Sequence, residues 1–189
     1  MRALTLSLLL LSPLLTGCAG LVVGAAATGG VLAVQERGFK TATSDIKIAT
    51  EVKERHARLD PELVARVSVN VLQNDVLLTG VAPSTNAMEQ IVELTENHPK
   101  VDRVYNELMV VDYPAKQIAK DSWTATQARA RMLGSADIYT VNYSIEVFHG
   151  QLYVIGIAKS DAEKERALHV LRTTRGVDKV YDYIRLTSK

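Results

Sequence analysis

Between residues 44 and 111 the spacing of apolar positions changes period several times. Ile48, Val52 and His56 recur every four residues, the spacing of one helix face, and Thr43-Ser44-Asp45 offers capping oxygens before them. Val67-Ser68-Val69-Asn70-Val71 alternates strictly, as a half-buried strand does. The polar run Gln73-Asn74-Asp75 reads as a turn, and Val76 to Thr79 returns as a second strand ended by Gly80. Ser84 then caps a helix with Ala87, Met88, Ile91, Val92 and Thr95 on its inner face. His98-Pro99 stops it, because the residue before a proline avoids helical angles. Val101 to Val111 is a third strand, so the order is helix, strand, strand, helix, strand.

The same order recurs 76 residues later without a gap. Asp45 matches Asp121, Thr50 matches Thr126, Arg55 matches Arg131, Gly80 matches Gly156, Ser84 matches Ser160, and Val104-Tyr105 matches Val180-Tyr181. In the second copy Asp121 or Ser122 is expected to cap a helix reaching about Leu133, and His149-Gly150 to turn the hairpin. Ser160-Asp161-Ala162-Glu163 reads as a capping box. Two copies are too few for a solenoid, so we expect tandem domains at 44–111 and 121–189, joined by a linker at 112–120. In each, two helices would cover one face of three strands: an α+β fold of two αββαβ two-layer sandwiches. Domains this small are close to the lower limit for an independent core, so packing of one on the other is expected.

The N-terminus has a different character. Arg2 and the apolar run Leu4–Leu15 read as a secretory signal too short to span a bilayer. Leu15-Thr16-Gly17-Cys18 resembles a bacterial lipobox. That resemblance implies cleavage after residue 17 and acylation of Cys18, palmitate included; the alternative is an ordinary signal with a chance cysteine. Residues 18–43 form the expected tether. Within it Ala19–Val34 is either flexible or a small-residue helix at the membrane surface, and Gln35–Thr43 is its polar end.

Composition narrows the functional classes. The single cysteine excludes an internal disulfide framework, and the net charge of +1 argues against nucleic acid as a partner. The charge is unevenly placed. Residues 45–111 carry 11 acidic and 7 basic side chains, whereas residues 113–189 carry 8 acidic and 12 basic. That asymmetry favours an anionic partner for the second half. Lys116, Lys120, Arg129 and Arg131 cluster there against Asp121 alone, beside Trp123, the only tryptophan. An indole suits a headgroup interface, although Trp123 could equally cover a core between the domains. Arg131, repeated as Arg55, could be structural. Tyr139, Tyr143, Tyr153 and Tyr183 could pack the core or form an interface.

No catalytic pattern stands out. The four histidines, His56, His98, His149 and His169, are dispersed, and zinc-protease, nucleophile-elbow and phosphate-loop signatures are missing from the sequence. His56 reads as a core histidine and His149 as exposed. Glu89 and Glu165 recur but belong to separate copies. We therefore expect no enzymatic activity, cofactor or metal.

The αββαβ order, the Gly80-Val81 and Gly156-Ile157 steps, and Gly176-Val177-Asp178-Lys179-Val180 resemble BON domains. A lipobox followed by two of them is similar to the dual-BON, DolP-like (YraP-like) outer-membrane lipoproteins of Gram-negative bacteria. The first copy departs from the pattern at Asn74-Asp75 and His98-Pro99-Lys100. The resemblance implies a lipid-anchored protein on the periplasmic side of the outer membrane, binding anionic phospholipid through its second BON domain and supporting envelope integrity. It implies a lipid-facing first helix in that domain, here beginning Asp121-Ser122-Trp123, with Trp123, Lys116, Lys120, Gln127, Arg129 and Arg131 as the contact residues. The alternative is a scaffold presenting its first domain or its sheet edges to an envelope protein partner.

Overall fold

A computed structural model describes residues 36–187, with side chains from residue 42 onward. The expected signal peptide, Cys18 and the segment 19–34 lie outside the described residues. The elements are α1 (Glu36–Leu59), a one-turn α2 (Leu63–Arg66), β1 (Val67–Leu72), β2 (Asp75–Val81), α3 (Thr85–Glu96) and β3 (Arg103–Met109). The second set is α4 (Ala115–Leu133), a 3-10 turn (Thr140–Asn142), β4 (Tyr143–Phe148), β5 (Gln151–Ala158), α5 (Asp161–Arg172) and β6 (Lys179–Leu186).

Each set folds into one three-stranded sheet. β1 is antiparallel and β3 parallel to the central β2; β4 and β6 flank β5 in the same way. The parallel pair requires a crossover, which α3 and α5 supply. The hairpins turn through two residues at positive φ, Gln73 and Asn74 in one and His149 and Gly150 in the other. Such turns match the twist of the strands they join. Gly80 lies within β2 opposite Val67, and at φ +118° a Cβ would sit 2.1 Å from the Arg66 carbonyl oxygen.

Alternation along the strands divides two environments. Val76 and Leu78 face the core that Ile48, Val52 and Ile91 close from the helices. Leu152, Val154 and Ile184 do the same under Ala125, Ala128, Met132, Ala167, Leu168 and Leu171. The residues between them point the other way. Leu77, Phe148, Tyr153 and Ile155 form a third buried cluster joined by Tyr105, Tyr113, Tyr181 and Tyr183. The two sheets therefore pack on each other through their second faces, giving layers in the order helix, sheet, sheet, helix. This explains why β2 and β5 are buried almost throughout.

Polar contacts fix that interface. The Tyr105 and Tyr183 rings lie 4.4 Å apart, and the Tyr183 hydroxyl donates to Glu107. Ser144 donates to Asn70 at 2.6 Å. Arg185 pairs with the buried carboxylate of Asp75 at 3.2 Å and donates to Gln73 at 3.1 Å. Burial raises the pKa of Tyr183 and Tyr153 far above the ordinary phenol value, so both stay neutral donors.

Several local expectations are corrected. Residues 36–43, at the end of the expected tether, are helical and run into the first domain's helix, because the polar run holds no breaker stronger than Gly38. Residues 115–120, within the expected linker, are helical as the first turns of α4: Pro114 is the N-cap and its fixed φ suits a helix entry. Asp45, Asp121 and Ser122 therefore lie inside helices and cap nothing. Ser160 caps α5 as expected, accepting from Glu163 N at 3.2 Å. The Glu163 carboxylate, however, accepts from Lys159 N, Tyr139 N and the Tyr143 hydroxyl, so the reciprocal bond to Ser160 is not formed.

Candidate functional site

α4 buries Asp121, Thr124, Ala125, Ala128 and Met132, at helical spacing, against the second sheet. Its opposite face carries Lys116, Ala119, Trp123, Gln127 and Ala130, spaced three or four residues apart, with Lys120 beside them. Trp123 is 66% exposed, so it does not cap an interdomain core. Small residues around it, Ala119, Thr126 and Ala130, leave the indole standing clear of the helix.

Of the two lysines in the opening turns, Lys116 runs against helix electrostatics. The N-terminal end of a helix carries partial positive charge, and α4 has no acidic residue in its first turn. Among the described residues neither Lys116 nor Lys120 makes an ion pair. Asp121, the one carboxylate within α4, points inward. It accepts from Tyr113 Oη at 2.9 Å, Gln117 Nε2 at 2.9 Å, His149 N at 2.7 Å and Gly150 N at 3.1 Å. The exposed face of α4 thus carries two lysines that are not ion-paired among the described residues.

Asp121 also sets the position of this face. It ties α4 to the hairpin between β4 and β5. Tyr113 carries the link into the sheet-to-sheet cluster, where its ring lies 4.1 Å from Phe148. His149, expected to be exposed, is half-buried. Its ring packs near Tyr113 and Phe148 and shares a hydrogen bond with the Asp112 carbonyl. Nothing in the sequence pattern distinguished this role of Asp121 from capping; the matching carboxylate at Asp45 was the available signal.

Arg129 and Arg131 are drawn to other work. Arg129 donates to the Ile145 carbonyl on the edge strand β4. Arg131 donates to Val170 O, Thr174 Oγ1 and Thr173 Oγ1, at 3.0, 2.9 and 2.9 Å, closing the end of α5. Arg55 does the equivalent for α3 through Leu94 O and Asn97 O. The expected contact set is therefore split. Trp123, Lys116 and Lys120 share one exposed face with half-buried Gln127 at its edge, while the two arginines hold the fold.

The second tyrosine set is divided too. Tyr153 and Tyr183 belong to the sheet-to-sheet interface, Tyr143 to the Glu163 network, and exposed Tyr139 lies under the Lys159 ammonium at 3.2 Å. His56 is a core histidine, its Nε2 3.0 Å from Thr95 Oγ1. Among the described residues no helix is long and apolar enough to cross a membrane, and no cluster of three His, Cys, Asp or Glu side chains could hold a metal ion.

Comparison with known proteins matches the BON domain at residues 44–112 and again at 120–188. The chain is 32% identical over 126 residues to an uncharacterized protein in the gshII 5′ region of Anaplasma centrale, covering 66% of this chain and 83% of that one. It is 31% identical over 121 residues to the 21 kDa hemolysin of Actinobacillus pleuropneumoniae, covering 64% and 62% respectively. It is 27% identical over 169 residues to the outer membrane lipoprotein DolP of Haemophilus influenzae, covering 88% and 86%. With one BON domain in each half, the chain belongs to the BON-domain family, as a dual-BON protein of the DolP-like kind.

Proposed function

We propose that this protein is a lipid-anchored envelope protein of the outer membrane, facing the periplasm, whose second BON domain docks on anionic phospholipid through α4. It acts as a binding module and not as an enzyme, and it supports the integrity of the envelope. The observation that carries the reading is the exposed Trp123 flanked by Lys116 and Lys120, of which Lys116 sits in the first helical turn, where the helix dipole disfavours a cation. A tryptophan settles at the headgroup level, and each basic side chain near an anionic leaflet contributes about 1 kcal/mol. The likeness to DolP supports the compartment and, through the sequence Leu15-Thr16-Gly17-Cys18, the anchor. With acyl chains at Cys18 holding the protein on the bilayer, α4 works at high effective concentration and selects lipid or orientation.

The test is co-sedimentation of a form lacking residues 1–18 with vesicles of phosphatidylcholine alone or with phosphatidylglycerol added. Binding should rise with phosphatidylglycerol and fall on Trp123→Ala. Binding indifferent to anionic lipid would refute the reading.

A further inference from the structure

A cavity of about 300 Å³ runs beside β1, in a groove walled by Ala42, Ile46 and Ala49 of α1 on one side and Val141–Ser144 of the second domain on the other. Among the described residues β1 pairs only with β2, so the backbone amides and carbonyls along its outer edge have no strand partner. An open edge is a template for another strand, and proteins ordinarily blunt it with charge or proline. The other three edges follow that rule. β3 carries Arg103 and Glu107, β4 carries Glu146, and β6 carries Lys179, Asp182 and Arg185. β1 reads Val67-Ser68-Val69-Asn70-Val71-Leu72, with neither charge nor proline.

The walls are open and, Asp45 apart, uncharged, with an exposed apolar side chain on each. Ile46 is 59% exposed and Val141 86%. The one charged side chain in the lining, Asp45, is occupied: it accepts from Gln73 N at 2.9 Å and Asn74 N at 3.2 Å. The groove is continuous with the sheet-to-sheet interface, which it meets at the bond between Ser144 and Asn70. We infer that this groove receives an extended, uncharged peptide segment of another protein, added as a strand to the outer edge of β1 with its apolar side chains between Ile46 and Val141. A neutral groove matches a neutral segment, and the unpaired backbone specifies a peptide, because an acyl chain has no groups to satisfy it.

The test uses the full chain in phosphatidylcholine vesicles, where the proposed anionic-lipid site is not engaged. The probes are six-residue peptides alternating Val, Ile or Leu with Thr or Ser, capped at both ends, and the same peptides N-methylated at alternate residues. The measurement is hydrogen exchange of the 69–72 amides together with peptide affinity. Added peptide should slow exchange there. N-methylation, Ile46→Glu and Val141→Glu should each weaken binding by about tenfold or more, while anionic-lipid binding persists. Unchanged exchange along β1, or equal affinity for the N-methylated peptides, overturns the proposal. So does protection of β1 by a short-chain detergent when the peptides give none, which would assign the groove to acyl chains.

Discussion

Asp45 and Asp121, 76 residues apart in sequence, make the same pair of bonds: each reaches from a helix to the two amides of its domain's hairpin turn. Each turn holds a non-glycine residue, Gln73 or His149, at positive φ, which is conformationally costly. A buried carboxylate accepting both amides offsets that cost and fixes the helix against the strands. The two sites differ in load, since Asp121 also holds Tyr113 and Gln117.

Asp121→Ala should therefore destabilise the protein by about 3–5 kcal/mol, leaving two buried amides, a phenol and an amide side chain without their acceptor. Asp45→Ala should cost less, about 2 kcal/mol. Urea denaturation of the two variants measures the difference, and equal losses would show that the extra bonds at Asp121 add nothing.

Arg131→Ala should lower stability by about 1–2 kcal/mol through loss of the bonds that close α5, and should leave lipid affinity unchanged. Lys116→Ala with Lys120→Ala should do the reverse, weakening lipid binding by about 2 kcal/mol in sum while the melting temperature holds or rises slightly. Thermal melts paired with vesicle binding separate the two roles.

The sheet-to-sheet interface depends on Arg185. Asp75 is buried and its Oδ1 has no hydrogen-bond partner; Arg185 is its ion-pair partner, with Arg103 acting on it at longer range. Arg185→Ala should cost about 2–4 kcal/mol, and Asp75→Asn in the same chain should recover part of it, since the uncompensated charge is then gone. A double-mutant cycle in denaturant tests this. Additive losses would deny the pair.

Stability should also fall in mild acid. Burial lowers the folded-state pKa of His56 below its ordinary value of 6.5. The unfolded chain then binds more protons than the folded one as pH drops through 6.5, and stability declines until the folded pKa is reached. The midpoint of urea unfolding should decrease between pH 7 and pH 5.5 in the parent, and less in His56→Gln.

The repeat made much of this structure legible. Offset matching found both αββαβ units, the alternation of β1 and β4 gave their inward faces, and the serines at 84 and 160 gave two helix starts. What failed was local. A serine or aspartate before an apolar run has the same sequence signature whether it caps a helix or reaches a hairpin from inside one. Only the fold brings Gln73 and Asn74 to Asp45. The second sheet face was hidden for a related reason: Leu77, Tyr153 and Ile155 extend an apolar run in the central strand, and period alone does not say what covers it. For the candidate site, the charge split and the lone tryptophan point to α4, and the structure places Trp123, Lys116 and Lys120 on its exposed side. The bonds of the two arginines are not legible in the sequence, because a guanidinium at an exposed position can still be engaged by carbonyls of a strand or helix that only the fold brings near.

Trp123 is the chain's only tryptophan, so its fluorescence reports on the proposed contact directly. In the form lacking residues 1–18, adding phosphatidylglycerol vesicles should shift its emission to the blue. Phosphatidylcholine alone should not, and the shift should weaken as salt rises and in the Lys116→Ala, Lys120→Ala double variant. Emission that stays at the position of a water-exposed indole while the protein is fully vesicle-bound would contradict the account, because the membrane contact would then lie elsewhere.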